Sequence, residues 1–310
     1  MATYSNDYNV VKNMFWDGKE NAIIYCLDNN GIEHCLFRAL KDYTARTEKK
    51  KEHDATASAI TMLEVLKNHG FLRAFEEYFN ANVRDQREYD EWHHELCNCF
   101  IEIITNSKIR STVSYGKAQK IVNITMKTIY CLAGAKEKAN QGYFDHCHMP
   151  LDSFTLEWFR KKLAEEWYNP SKPRVFKIKI STESGPLPKW SNLGFKKESL
   201  KTDFNTYDAD IDSRTINNRY HYMFFVTMIR EYFDSHKNSN NPYKGLTPFQ
   251  AEFYIWPEIQ WETSARNLVK QDLINRIAII QSITTNNIEI NKLCIDLKKQ
   301  VEKILTIYRG

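Results

Sequence analysis

A mainly α-helical fold is what this 310-residue sequence predicts. Three observations carry that reading. Apolar residues recur every three or four positions over most of the chain, residues that cap or stop helices fall between those stretches, and only two short segments read as strand. The length suits one large domain or two modest ones, with ample chain to bury a core. Seven Trp, 17 Tyr and 17 Phe supply bulky material for it.

The first strand-like segment is N-terminal. Runs 22–27 and 32–37 flank Asp28-Asn29-Asn30-Gly31, and Asn-Gly between apolar runs predicts a small β-hairpin, because both residues tolerate positive φ. Helices follow. Ile60, Met62, Leu63, Val65 and Leu66 lead to a stop at His69-Gly70, and Leu72, Phe75 and Tyr78 begin a second amphipathic segment. Trp92, Leu96, Phe100, Ile101 and Ile104 predict a helix from about Tyr89 to Thr105. A polar loop, 106–111, separates it from a helix holding Lys120. Further helices are predicted over 153–167, closed by Asn169-Pro170, over 214–234, and over 248–256, where Thr247 caps and Pro248 takes the first helical position. Between them, residues 170–213 are irregular, with the alternating stretch 175–180 as the second strand-like segment.

From Ser264 onward Leu and Ile recur at helical spacing, predicting a long C-terminal helix or helix pair that packs on the domain or mediates self-association. The expected organisation is therefore an N-terminal β-hairpin appendage (1–50), a helical domain (51–263) and a C-terminal helical tail (264–310). No internal repeat or low-complexity tract interrupts it.

Charge and cysteines narrow the class. With 43 Lys plus Arg against 39 Asp plus Glu the net charge is +4, too weak by itself to indicate nucleic acid, although a local basic patch is compatible with it. The seven cysteines are odd in number and scattered, which predicts reduced thiols and a cytoplasmic protein. No basic start precedes an apolar run, and no stretch approaches about 18 uncharged apolar residues. A membrane partner is not expected.

Two segments carry chemistry. One is Tyr115-Gly116-Lys117-Ala118-Gln119-Lys120-Ile121-Val122-Asn123-Ile124; the other, Pro150-Leu151-Asp152-Ser153, begins about 30 residues later. The first resembles the hairpin and following helix of the helix-hairpin-helix DNA glycosylase superfamily, with Gly116, Lys120 and Asn123 on matching positions. The second is similar to that superfamily's helix-opening motif, an apolar residue, Asp, then Ser, Thr or Val, usually after proline or valine. Ala118 replaces the second hairpin glycine, and Lys120 and Asp152 lie 32 positions apart, an interval longer than in the endonuclease III branch and closer to the archaeal 8-oxoguanine glycosylase branch. The likeness covers residues 95–168.

The resemblance implies a DNA glycosylase with lyase activity that excises a damaged or modified base. Lys120 would attack the sugar and form a Schiff base, and Asp152 would stabilise developing positive charge and move protons. The same residues have ordinary accounts: a lysine on an amphipathic face is commonly solvated, and aspartate at a helix start is a good N-cap. Ser114, Gly116 and Lys117, at the start of the Lys120 helix, are expected at a DNA phosphate, with Lys108, Arg110 and Lys127 on neighbouring phosphates. Trp158, Phe253 and Trp256 are candidates to stack a flipped base, against the simpler expectation that aromatics pack in the core.

Two His/Cys clusters, 93–99 and 145–148, lack paired zinc spacing. The four clustered cysteines of the endonuclease III iron–sulfur site have no counterpart either, because Cys294 stands alone in the C-terminal part. No metal or cofactor is expected. The competing reading is a non-catalytic helical protein that binds DNA or another partner, as in a bacterial defence or mobile-element system.

Overall fold

The computed structural model describes residues 27–47, 55–159, 161, 190–194, 222–235, 243–282, 292 and 295–300. Among these the secondary structure is helical, with no extended strand. The helices are α1 (Asn29–Thr47), α2 (Ala55–Asn68), α3 (Arg73–Asn80), α4 (Gln86–Asn106), α5 (Tyr115–Tyr130), α6 (Ala135–Asn140), α7 (Ser153–Trp158), α8 (Tyr222–Ser235) and α9 (Pro248–Ser282), with a 3₁₀ turn at Trp190–Asn192. The chain divides into two compact units, Met1–Ile255 and Trp256–Gly310.

The expected hairpin is corrected. Residues 32–37 lie inside α1, and most of the other run, 22–26, lies outside the described residues. The physical reason is a cap. Asp28 Oδ1 accepts the Gly31 N–H at 2.9 Å and the Asp28 carbonyl accepts the Ile32 N–H, so Asp28-Asn29-Asn30-Gly31 starts a helix instead of reversing a strand. Ile32, Cys35, Leu36, Ala39, Leu40 and Tyr43 are all buried, spaced by three and four as one helical stripe requires.

In the first unit α5 is the central element. It packs against α1, α4 and the 3₁₀ turn, and nearly every residue along it is buried. A helix enclosed on most sides must bury its polar stripe too. That stripe is Gln119, Lys120, Asn123 and Lys127. Helix α4 starts at a capping box, in which Asp85 accepts the Glu88 N–H at 2.8 Å and Glu88 Oε2 accepts the Asp85 N–H at 2.9 Å. Its inner face, Tyr89, Trp92, Leu96, Phe100, Ile103 and Ile104, joins Phe71, Phe75 and Tyr78 in an aromatic core of edge-to-face contacts. Gly70 adopts φ +73° and gives the tight turn between α2 and α3.

The helix predicted to end at residue 256 continues to Ser282 through Pro257. In the second unit Trp261 and Leu268 are exposed, as are Ile295 and Leu297 in the helical residues 295–300. Among the described residues no helix is long and apolar enough to cross a membrane. The alternating stretch 175–180 lies outside the described residues.

Candidate functional site

Helix α7 begins where the sequence signals it. Asp152 is its N-cap, with Oδ1 accepting the Phe154 and Thr155 N–H groups at 2.8 and 3.1 Å, while Thr155 Oγ1 accepts the Asp152 N–H at 2.7 Å. The other carboxylate oxygen, Oδ2, lies 3.7 Å from Lys120 Nζ. Capping and pairing use different oxygens of one side chain. Both residues are 2% exposed.

What holds the α7 start against α5 is an amide clamp. Gln119 Nε2 donates to the Leu151 carbonyl at 2.8 Å, and Gln119 Oε1 accepts the Leu151 N–H at 3.3 Å. The side-chain amide thus pairs with a backbone peptide much as a second peptide would, fixing residue 151 one position before Asp152.

The charged cluster extends beyond the expected pair. Asp42 of α1 brings Oδ2 to 3.1 Å from Lys120 Nζ, and its side chain is 33% exposed, so it forms the rim. The Trp190 ring lies over the amine, 5.0 Å from Nζ to the centroid. Seven residues along α5, Lys127 pairs with the buried carboxylate of Glu252 and lies 4.7 Å from the Phe253 ring centroid. Burial raises the Glu252 pKa, and the nearby Asp152 charge adds to it, while Lys127 and Lys120 pull the other way.

A second buried polar network lies alongside. Arg230 of α8 grips Asp90 of α4 with two bonds of 2.8 Å each. Burial works to raise the Asp90 pKa, but His148 and Arg230 outweigh it and hold the carboxyl well below its usual range. His148 is driven the other way, its pKa lowered by burial against the opposing pull of Asp90. The proton positions follow. Neutral His148 donates Nε2–H to Asp90 Oδ1 at 2.6 Å and accepts the Tyr222 O–H at Nδ1 at 2.8 Å. Tyr222 Oη accepts from Asn123 Nδ2 at 2.9 Å, and Asn123 Nδ2 also donates to Gln119 Oε1 at 3.0 Å. His93, its pKa lowered well below the usual value by burial and by His148, donates Nε2–H to Asn123 Oδ1 at 2.9 Å. The hydrogen-bond network therefore links α8 and α4 to the clamp that holds Asp152. A water-sized cavity of about 10 Å³ borders it, lined in part by Cys147, His148 and Arg230.

The other expected residues are distributed as follows. Ser114 is the N-cap of α5, but its hydroxyl donates to the Ser191 carbonyl, and the Gly116 N–H donates to the Leu193 carbonyl at 2.9 Å. The groups expected to meet a phosphate are thus engaged by the chain itself. Lys117 and Arg110 are half-buried near the same end, and Lys108 is exposed with φ +58°. Lys127, expected at a phosphate, is buried against Glu252. Trp158 and Phe253, candidates for a base pocket, are core residues: Trp158 packs on Tyr232, Phe233 and Tyr243, and Phe253 on Tyr130 and Phe249. Trp256 belongs to the second unit. His93 and His148, drawn from the two metal-like clusters, come within 4.4 Å of each other between ring centroids, with their nitrogens in the network above.

Asp42, Trp190 and Glu252 were not legible as partners. Asp42 lies beside the apolar stripe of α1 and reads as a solvated residue, Trp190 stands in an irregular stretch, and Glu252 reads as one more polar position in the predicted 248–256 helix. Neither the family models, the curated proteins nor the solved structures compared with the chain gave a match.

Proposed function

We propose that the chain is a DNA glycosylase with lyase activity, in which Lys120 is the attacking amine and Asp152 its proton partner. One observation carries the reading: an amine and a carboxylate from positions 120 and 152 meet at 3.7 Å, both nearly enclosed. In the proposed step a proton leaves Lys120 Nζ for a carboxylate; Asp152 Oδ2 and Asp42 Oδ2 are in reach. The amine's electron pair then forms a bond to C1′ of the deoxyribose, the C1′–N bond breaks, and the base leaves with that bonding pair and takes up a proton. Opening of the sugar gives the imine, and loss of the C2′ proton expels the 3′ phosphate. The carboxylates also oppose the positive charge that develops on the sugar. Lys108, Arg110 and Lys117, close in sequence to the α5 start, supply charge for phosphates on either side of the lesion.

Borohydride reduction in the presence of DNA containing an abasic site tests this directly. A covalent protein–DNA species should form with the wild-type chain and be lost in Lys120→Ala; trapping that persists in Lys120→Ala sinks the assignment. A base-release panel read by mass spectrometry then identifies the base.

A second reading has its own support. Because Ser114 and Gly116 already bond to the chain's own carbonyls, a non-catalytic helical protein that binds DNA or another partner accounts for a closed cluster. It predicts salt-dependent binding unchanged by Asp152→Asn, with no base released.

A further inference from the structure

We propose that residues 190–193 form an autoinhibitory strap, occupying with their own carbonyls and indole the ground that a DNA phosphate and a flipped base take over Lys120. This rests on the lyase reading above. The strap's acceptors sit at the start of a 16-residue helix, where free N–H groups and the helix dipole favour an anion. Ser191 O and Leu193 O take the Ser114 hydroxyl and the Gly116 N–H. Both are neutral oxygens. A phosphate oxygen at the same donors carries charge as well, so DNA has an electrostatic advantage over the strap.

The aromatic part repeats the mimicry. Trp190 lays its π face 5.0 Å from Lys120 Nζ, and the amine, though between two carboxylates, makes no hydrogen bond of good geometry. It is held by charge and by a ring, as it would be beneath a stacked base. Gly116 makes the seating feasible, since a Cβ there would stand 2.0 Å from the Trp190 carbonyl oxygen. The strap is anchored at its far end, where Leu193 is buried and the Gly194 carbonyl accepts the Tyr222 N–H at 2.9 Å. Trp190 itself is half-buried. Release would therefore begin at the tryptophan.

Reductive methylation of the full chain tests the strap without DNA. Formaldehyde condenses with a free amine, losing water, and cyanoborohydride delivers hydride to the imine; peptide mass spectrometry gives the rate at each lysine. Lys120 in the wild-type chain should react at least about tenfold slower than exposed Lys108, as expected for a group reached only through local opening. Trp190→Ala and Gly116→Ala should each raise the Lys120 rate toward that of Lys108. Trp190→Ala is the decisive variant, because it removes the cover without crowding α5, and far-UV circular dichroism checks that it folds. Equal rates at Lys120 and Lys108 in the wild-type chain, or no rise in a folded Trp190→Ala, overturn the strap.

Borohydride trapping on abasic DNA then separates the two ideas. Faster trapping by Trp190→Ala than by wild type supports both. Wild-type trapping as fast as that of Trp190→Ala removes the inhibitory role and leaves the lyase. Faster methylation with no trapping by any form overturns the lyase reading and the inhibitory role with it.

Discussion

Replacing Asp90 with alanine should be among the most damaging single changes to the first unit. Asp90 is 7% exposed and accepts two bonds of 2.8 Å from Arg230 and one of 2.6 Å from His148. Removing one partner of a buried ion pair costs roughly 3–5 kcal/mol, because the other charge stays behind without compensation. Arg230 keeps a bond to the His146 carbonyl, and its side chain is 14% exposed, so water recovers part of the loss and the low end, about 3 kcal/mol, applies. For a unit of this size that is a fall in Tm of about 6–12 °C. Scanning calorimetry of the full chain at neutral pH measures it. Adding Arg230→Met should recover much of the loss by removing the stranded guanidinium. A fall below about 2 °C, or a double variant no better than Asp90→Ala alone, would refute the claim that this pair is a buried electrostatic unit.

Four other outcomes are expected. Because His93 and His148 are held neutral below their ordinary value of 6.5, stability is fully present above pH 6.5 and is lost as pH falls below it, when only the unfolded chain takes up protons. The loss is about 1.4 kcal/mol per pH unit per histidine, and a Tm that stays flat from pH 7.5 to 5.5 contradicts it. Gln119→Leu takes both clamp bonds from Leu151 and one of the bonds of the Asn123 amide, which keeps Tyr222 and His93, for about 1–3 kcal/mol in urea unfolding; if the lyase reading holds, it also slows trapping by letting Asp152 drift. Leu36→Ala, within the fully buried stripe of α1, should cost about 2–5 kcal/mol, whereas a peripheral hairpin would tolerate it. Asp85→Ala removes one half of the α4 capping box and should cost about 1 kcal/mol by the same measurement.

Much of the helical architecture is legible because helix signals are local. Gly70 stops α2, Ser114 caps α5, Asp152 caps α7 and Thr247 precedes α9, each acting through neighbours a few residues away. The failures have local causes as well. Asn-Gly serves a turn or a helix start equally well, and at residue 31 the Asp28 cap acted together with the stripe continuing through Ala39, Leu40 and Tyr43, beyond the span read as a strand. The apolar positions of α5 were legible; that its polar face is buried too was not.

The sequence by itself marked α2 to α5 and α7 to α9, since capping and amphipathic spacing act within one or two turns, and the candidacy of Lys120 and Asp152 rested on the likeness of two short segments. Tertiary structure alone decided what surrounds them. Asp42 comes from α1, Trp190 from a stretch without periodicity and Glu252 from α9, and no short-range rule couples residues so far apart. Whether a lysine is solvated or enclosed depends on which helices cover it, and here α1, α4 and the 3₁₀ turn enclose α5. That enclosure turns a basic stripe into a compensated charge cluster, because a buried ammonium without nearby carboxylates would cost more than the fold can supply.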